Sequence, residues 1–292
     1  MRIVLAGSSG YLGRHLTRVL ADRGDRVTRL VRRPAHRPDE VSWDPAAGLL
    51  DATTLTGADA VINLAGAGIA DHRWTPAYRR LIRDSRLDST RLLAQAVADS
   101  GVATLINASA VGWYGDRGDI EVDESAPAAT DFLGETCREW EAATAPAGTA
   151  GARVVSLRTG HVLAGDSVMS ARLRPVFRLG LGGRFGTGRQ YFPWIALTDW
   201  LRATVFLLDG TVDGPVNLVG PHPVRNSEFV AAFARSLHRR APFVIPGFAL
   251  RAVAGEAAVE LLRGARIRPG VLLDNGFEFR CPTVDTALST PG

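Results

Sequence analysis

Lysine is missing from this chain of 292 residues; all 34 of its basic side chains are arginines. That excludes Schiff-base chemistry on a lysine, a phosphate loop closed by a lysine, and any dehydrogenase mechanism that sets a lysine beside a tyrosine. Cysteine is nearly as scarce. With only Cys137 and Cys281 there is no disulfide framework and no four-ligand zinc site, so a cytoplasmic protein is expected. No histidine pair has metal-ligand spacing beside carboxylates, and no metal is expected. Long apolar runs are absent too: the longest, Ala60 to Ala70, is broken by Asn63 and falls well short of the roughly 20 residues of a membrane span. The apolar start, Ile3 to Ala6, gives way to Gly7-Ser8-Ser9-Gly10 and is too short for a signal peptide. The excess of base over acid, 34 against 30, is small, and no basic run is interleaved with aromatics, so neither a membrane nor a nucleic-acid partner is expected. What is present, 46% hydrophobic and 22% charged residues, is an ordinary globular composition, long enough for two domains or one large domain with an appendage.

Apolar runs alternate with amphipathic stretches through the first half. Arg2–Ala6, Arg26–Val31, Ala58–Leu64, Val102–Asn107 and Arg153–Leu157 read as buried strands. Tyr11–Arg23, Thr75–Ser100 and Asp131–Ala145 carry apolar residues at helical spacing. This alternation predicts an α/β Rossmann-type fold, a doubly wound parallel sheet over residues 1–165. After about Gly160 a glycine-rich loop, the aromatics Tyr191, Phe192 and Trp194, and helices at Ser227–His238 and Phe248–Leu262 suggest a smaller, partly interleaved α/β substrate domain over 166–292. A helix at Thr198–Leu208 and a strand at Val216–Val219 would return about 196–220 to the first domain.

Gly7-Ser8-Ser9-Gly10-Tyr11-Leu12-Gly13 follows the first strand and opens the first helix. A dinucleotide diphosphate needs close backbone approach and a helix N-terminus aimed at it; glycines clear the way. The other reading, a plain tight turn, is weakened by the strand–turn–helix–strand context. Where an NAD site places an acid after the second strand, this chain has Arg32 and Arg33, which suit a 2′-phosphate and predict NADP(H). Two solvated loop arginines are the alternative.

Further stretches carry a resemblance: Asn63 to Trp74 (NLAGAGIADHRW), Ile82 to Thr90 (IRDSRLDST), Ser109 to Gly118 (SAVGWYGDRG), Phe132 to Glu141 (FLGETCREWE), Leu157 to Leu163 (LRTGHVL), Gly182 to Ile195 (GGRFGTGRQYFPWI) and Leu272 to Phe279 (LLDNGFEF). With the glycine motif, they resemble the extended short-chain dehydrogenase/reductases, and within them an atypical branch labelled "epimerase family" or "cell-division inhibitor". The resemblance implies that Ala65 and Gly66 lie under the cofactor, that Ser109 is the active-site serine, and that Thr159, Gly160 and Val162 close over the nicotinamide. Gln190, Trp194 and Asp199 match substrate-side positions, and Trp113 is also placed near a ligand. It further implies a tyrosine and a lysine four residues apart on the helix after the serine. Here those positions are Leu133 and Cys137, and the branch's tendency to histidine is answered by Ala196.

Replacements for the missing pair stay open. Tyr114 either carries the proton or packs under its loop, and Cys137 is a thiol donor or a small buried apolar group. Glu135 and Asp116 are acid–base groups or surface carboxylates, and His161 is a site residue or makes a structural hydrogen bond. Arg79, Arg80, Arg83 and Arg86 share one helix, as a solvated face or a contact for an anion or subunit. The expectation is an NADP(H)-dependent oxidoreductase or epimerase-like enzyme for a small carbonyl or alcohol, with Ser109 and Tyr114 at its centre. The alternative is a non-catalytic NADP(H)-binding sensor or scaffold. The substrate is not named by the sequence, and a homodimer is compatible with it.

Overall fold

Short β-branched runs become strands because they bury both faces. In the computed structural model, which describes residues 1–289, β1 (Arg2–Ala6) is covered from Ile3 onward. It is followed by α1 (Tyr11–Asp22), β2 (Arg26–Val31), β3 (Glu40–Ser42), β4 (Ala60–Asn63), α2 (Pro76–Ser100) and β5 (Thr104–Ala110). A two-residue strand β6 (Glu121–Val122) precedes α3 (Phe132–Ala142), the short α4 (Ala145–Thr149), β7 (Arg153–Thr159) and β8 (His161–Leu163). Next come α5 (Val168–Arg178), β9 (Gly183–Phe185), β10 (Tyr191–Phe192), β11 (Trp194–Ala196), α6 (Leu197–Asp209) and β12 (Gly214–Leu218). The last part holds β13 (Val224–Arg225), α7 (Asn226–Ser236), β14 (Phe243–Ile245), α8 (Gly247–Ala254), α9 (Val259–Leu262), β15 (Arg266–Ile267), α10 (Gly270–Asp274) and α11 (Val284–Ser289).

Seven strands form one parallel sheet in the order β12-β7-β5-β4-β1-β2-β3. One face is covered by α1 and α6 through Leu16, Leu20, Trp200 and Leu207. The other is covered by α2 and α4 through Leu93, Ala94, Val97 and Ala147. This is the doubly wound Rossmann fold. The chain reverses its direction of growth between β1 and β4, and a crevice at the carboxyl ends of strands flanking such a reversal is where α/β sheets bind ligands. Ala6 registers with Asn63, and Asn63 with Asn107, so the glycine turn, the Asn63 turn and the end of β5 open at the same edge.

Residues 197–218 lie in the main body, and so do Leu272 and Phe277, whose side chains join the core under α6. A second core around Phe177, Phe192, Trp194, Phe229 and Phe233 supports the remainder. Glu40–Ser42 is a further strand, whose three mixed residues give no alternation to detect. One local reading is corrected. The run Phe248–Leu262 is not one helix: Gly255, at φ +63°, ends α8, and a 3-10 turn intervenes before α9.

Candidate active site

The glycine turn is built by exclusion of side chains. Gly7 has φ +80°, and a Cβ there would sit 2.6 Å from the Leu64 carbonyl carbon and oxygen. A Cβ on Gly13 would overlap the Gly7 carbonyl oxygen, and one on Gly10 would lie 3.3 Å from it. Gly10 N donates to Gly7 O at 3.0 Å and closes the turn. No side chain caps α1, so its first N–H groups point out over the turn, an arrangement that favours a phosphate. Opposite, Asn63 donates to Asn107 Oδ1 (2.8 Å) and Thr90 Oγ1 (3.0 Å) and accepts from Ala65 N (3.1 Å), which pins the floor formed by Ala65 and Gly66. The donor and shape requirements of a dinucleotide are met by this cradle. Leu12 packs inward on the sheet core. Ser9 is exposed, with its carbonyl held by Arg14. The Tyr11 hydroxyl donates to Asp166 Oδ1 at 2.6 Å and ties the turn to the segment after β8; burial and that carboxylate push its pKa up.

Arg32 and Arg33 differ. Arg33 is clamped on both Glu40 oxygens at 2.8 Å, and holds that carboxyl down to about 2. Arg32 is exposed and forms no ion pair among the described residues. Of the four arginines read together on α2, Arg79 pairs with Glu256, Arg83 with Glu139 and Asp84, and Arg80 is exposed. Arg86 departs from the solvated-face reading. It turns under the Gly66 turn, donates to the carbonyls of Ala67 (3.0 Å) and Ile82 (2.9 Å), and lies 4.9 Å over the Trp140 ring. Among the described residues no carboxylate pairs with it, and burial weighs against its charge.

Several expected site residues are committed elsewhere. Ser109, 4% exposed, donates to Glu141 Oε1 at 2.6 Å. Glu141 in turn takes two bonds from Arg158, Nε and Nη2, both at 2.9 Å. Tyr114 is fully buried; its hydroxyl donates to Asn217 Oδ1 (2.6 Å) and accepts from Arg158 (3.0 Å), while burial pushes its pKa up to about 12. It packs under its loop and has no path to a substrate. Trp113 stacks on Arg158 at 3.7 Å and donates to Ala126 O, and so also serves this network. Trp194 is 1% exposed, in the second core. Gln190 donates to the carbonyls of Phe185 and Leu261, and Asp199 accepts from the amides of Arg280 and Cys281. Each of these polar contacts joins chain segments distant in sequence. Thr159 accepts from Trp200 Nε1, Gly160 is wedged against the Pro193 carbonyl, and Val162 registers with Ile195.

An open cleft of about 320 Å³ lies beside these elements. Its walls are Val111 and Gly112 after β5, Phe132 and Leu133 on α3, His161 on β8, and Arg251, Glu256, Glu260 and Arg263 on the α8–α9 side. Leu133 and Gly112 are in contact range, and Cys137 lies just behind them with its thiol pushed up to about 12 by burial, a protonated apolar filler. His161 stacks on Phe192 at 4.5 Å, and burial lowers its pKa to about 4, so it is neutral. Glu260 is partly buried and burial raises its pKa to about 7. Sequence reasoning missed Glu141, Arg158 and Glu260 and left Arg86 on a solvated face: Arg86, Glu141 and Arg158 act through partners distant along the chain, and Glu260 lines a cleft that only the fold assembles. Glu135 and Asp116 are exposed surface carboxylates.

Residues 3–216 match the NAD dependent epimerase/dehydratase family, and residues 245–290 a domain of unknown function, DUF1731. The chain belongs to the NAD-dependent epimerase/dehydratase family. An "epimerase family protein" of Mycobacterium bovis is 48% identical over 288 residues, covering 98% of this chain and 96% of the relative. The human epimerase family protein SDR39U1 is 35% identical, covering 99% and 98%. A crystal structure of that human protein (isoform 2) with NADPH superposes with a TM-score of 0.90 at 33% identity, over 99% of this chain and 98% of the other. A UDP-glucose 4-epimerase of Thermotoga maritima, at 16% identity and a TM-score of 0.79, shares the fold. The expected extended short-chain dehydrogenase branch is therefore the right one. No helix among the described residues is long and apolar enough to cross a membrane.

Proposed function

We propose that this protein binds NADP(H) and works as a cytosolic oxidoreductase or epimerase-like enzyme on a small carbonyl or alcohol substrate. The observation that carries the reading is a glycine turn in which a Cβ at Gly7 or Gly13 would collide with backbone, at the carboxyl edge of the same sheet whose β5 leads into a cleft lined by Gly112 and His161. The NADPH in the human relative's crystal structure supports the cofactor.

The main-chain amides of Gly7 to Gly13 would hold the diphosphate, and Arg32 the 2′-phosphate, with the charge of Arg33 engaged by Glu40. Ala65 and Gly66 leave room on the floor, and Arg86 places a fixed cation behind it. Thr159, Gly160 and Val162 flank His161, which lines the cleft. When bound, the nicotinamide supplies or accepts hydride. Ser109 as the group that orients the reacting oxygen gains no support from the geometry, because its proton goes to Glu141 and it does not line the cleft. A sensor without turnover would need the cradle alone; the cleft lined by charged side chains favours an enzyme.

Fluorescence titration tests the cofactor. NADPH is expected to bind at least tenfold more tightly than NADH. Arg32→Ala should weaken NADPH about tenfold or more and leave NADH within twofold, with a smaller effect for Arg33→Ala, since one charge-assisted bond to phosphate is worth roughly 1.5–3 kcal/mol. Equal losses for both nucleotides would overturn the assignment. Tight binding with no oxidation across a broad carbonyl panel would favour the sensor.

A further inference from the structure

A carbonyl reduced or an alcohol oxidised in this cleft must exchange a proton with something on its wall, and most of the wall is disqualified. The guanidiniums of Arg79, Arg251 and Arg263 do not titrate in the working range. His161 is stacked flat against Phe192 and its ring makes no hydrogen bond among the described residues. Asp131 caps α3 through Gly134 N (2.9 Å) and faces Arg263 at 3.6 Å. Glu256 is paired with Arg79. Cys137 is sealed behind Gly112 and Leu133. Glu260 is left: among the described residues its carboxyl has no hydrogen bond and no ion pair, and it lines the same cleft as Leu133 and His161.

We propose that Glu260, from the C-terminal segment, is the proton donor and acceptor of this cleft, in place of the absent pair on α3. The inference rests on the NADP(H)-dependent reading above. In reduction, the carbonyl carbon gains hydride with both electrons from the dihydronicotinamide nucleotide, and the oxygen takes the proton of the Glu260 carboxyl. The resulting carboxylate recovers a proton from water at the open mouth of the cleft. Oxidation of the alcohol reverses both transfers. Glu260 suits both directions because its environment keeps its two forms close in energy near neutral pH: burial and the neighbouring Asp131 carboxylate disfavour the anion. The other charges around it are Arg263, Glu256 with Arg79, and Arg251, while His161 and Cys137 are uncharged.

The test begins on the nucleotide-free protein. Carbon-13 NMR of glutamate-labelled protein, with Glu260→Gln assigning the resonance, should show a side-chain titration midpoint near 7; a midpoint in the ordinary carboxylate range overturns the proposal whether or not Glu260→Gln folds. NADPH affinity measured by fluorescence should stay within twofold in Glu260→Gln. NADPH oxidation over a panel of aldehydes and ketones should fall by about 10²–10⁴-fold in that variant, and equal rates in the two proteins overturn the role. Failure of the wild-type protein to bind NADPH sinks the functional reading instead, and the Glu260 titration still stands or falls separately. Binding without turnover on any carbonyl would overturn the proton-transfer role together with the enzyme.

Discussion

Arg158 is 2% exposed and satisfies four neighbours at once: both oxygens of Glu141, the Tyr114 hydroxyl, the Glu124 carbonyl at 3.0 Å, and the face of Trp113. A buried guanidinium is tolerated only when its donors and charge are matched. Here the matching explains why Ser109, Trp113 and Tyr114, three side chains of one short motif, point into protein and away from ligand. The chain continues through Tyr114 to Asn217, whose Nδ2 donates to Arg268 O, so the end of β12 is bound to β15 by the same network. Tyr114→Phe removes a donor from Asn217 Oδ1 and an acceptor from Arg158 while keeping the ring. Urea unfolding should show a loss of about 1–3 kcal/mol, with NADPH affinity unchanged. A variant equally stable but unable to oxidise NADPH would return Tyr114 to the catalytic group.

The glycine turn and α1 act as one element, because Gly13, inside the helix, is pressed against the Gly7 carbonyl. Gly13→Ala must push the helix off the turn, which moves the uncapped N–H groups away from the phosphate position. NADPH titration should show a loss of tenfold or more, and a thermal melt a lower midpoint; a Gly13→Ala protein that binds as the parent does would show that the N-terminus of α1 is not the anchor. This element was fully legible beforehand, since strand, turn, helix and second strand are local in sequence and each has its own pattern. Arg86 was not. Helical spacing aligns it with Arg79 and Arg83 on α2, but only the approach of the Gly66 turn, fixed by Asn63 reaching Asn107 and Thr90, buries it. The α8–α9 break escaped for a different reason: an apolar run with one glycine is tolerated in a helix, and whether Gly255 goes to positive φ depends on packing from outside. Glu260 was lost with it, since inside one long helix it reads as a surface carboxylate.

Two partly buried groups lining the cleft give the whole molecule opposing responses to pH. Glu260 binds its proton more tightly in the fold, near 7, than in the unfolded chain at about 4.3; its stabilisation is complete below the lower value and is lost as pH rises through about 7. His161 binds its proton less tightly in the fold, near 4, than in the unfolded chain at about 6.5; its stabilisation is complete above that value and is lost as pH falls toward about 4. Between about pH 4.5 and 6.5 the folded chain thus holds one extra proton at Glu260 and one fewer at His161, and their slopes cancel. Glu260→Gln removes one side of the balance, so its stability should rise relative to the parent by about 1 kcal/mol per pH unit across that window. His161→Phe, which can keep the stack on Phe192, should show the reverse slope, falling as pH rises. Denaturant unfolding of the three proteins at pH 5, 6 and 7 checks both signs. Parallel curves would mean that the two groups are solvated like ordinary surface, and that the water-excluding environment needed to tune a carboxyl there does not exist.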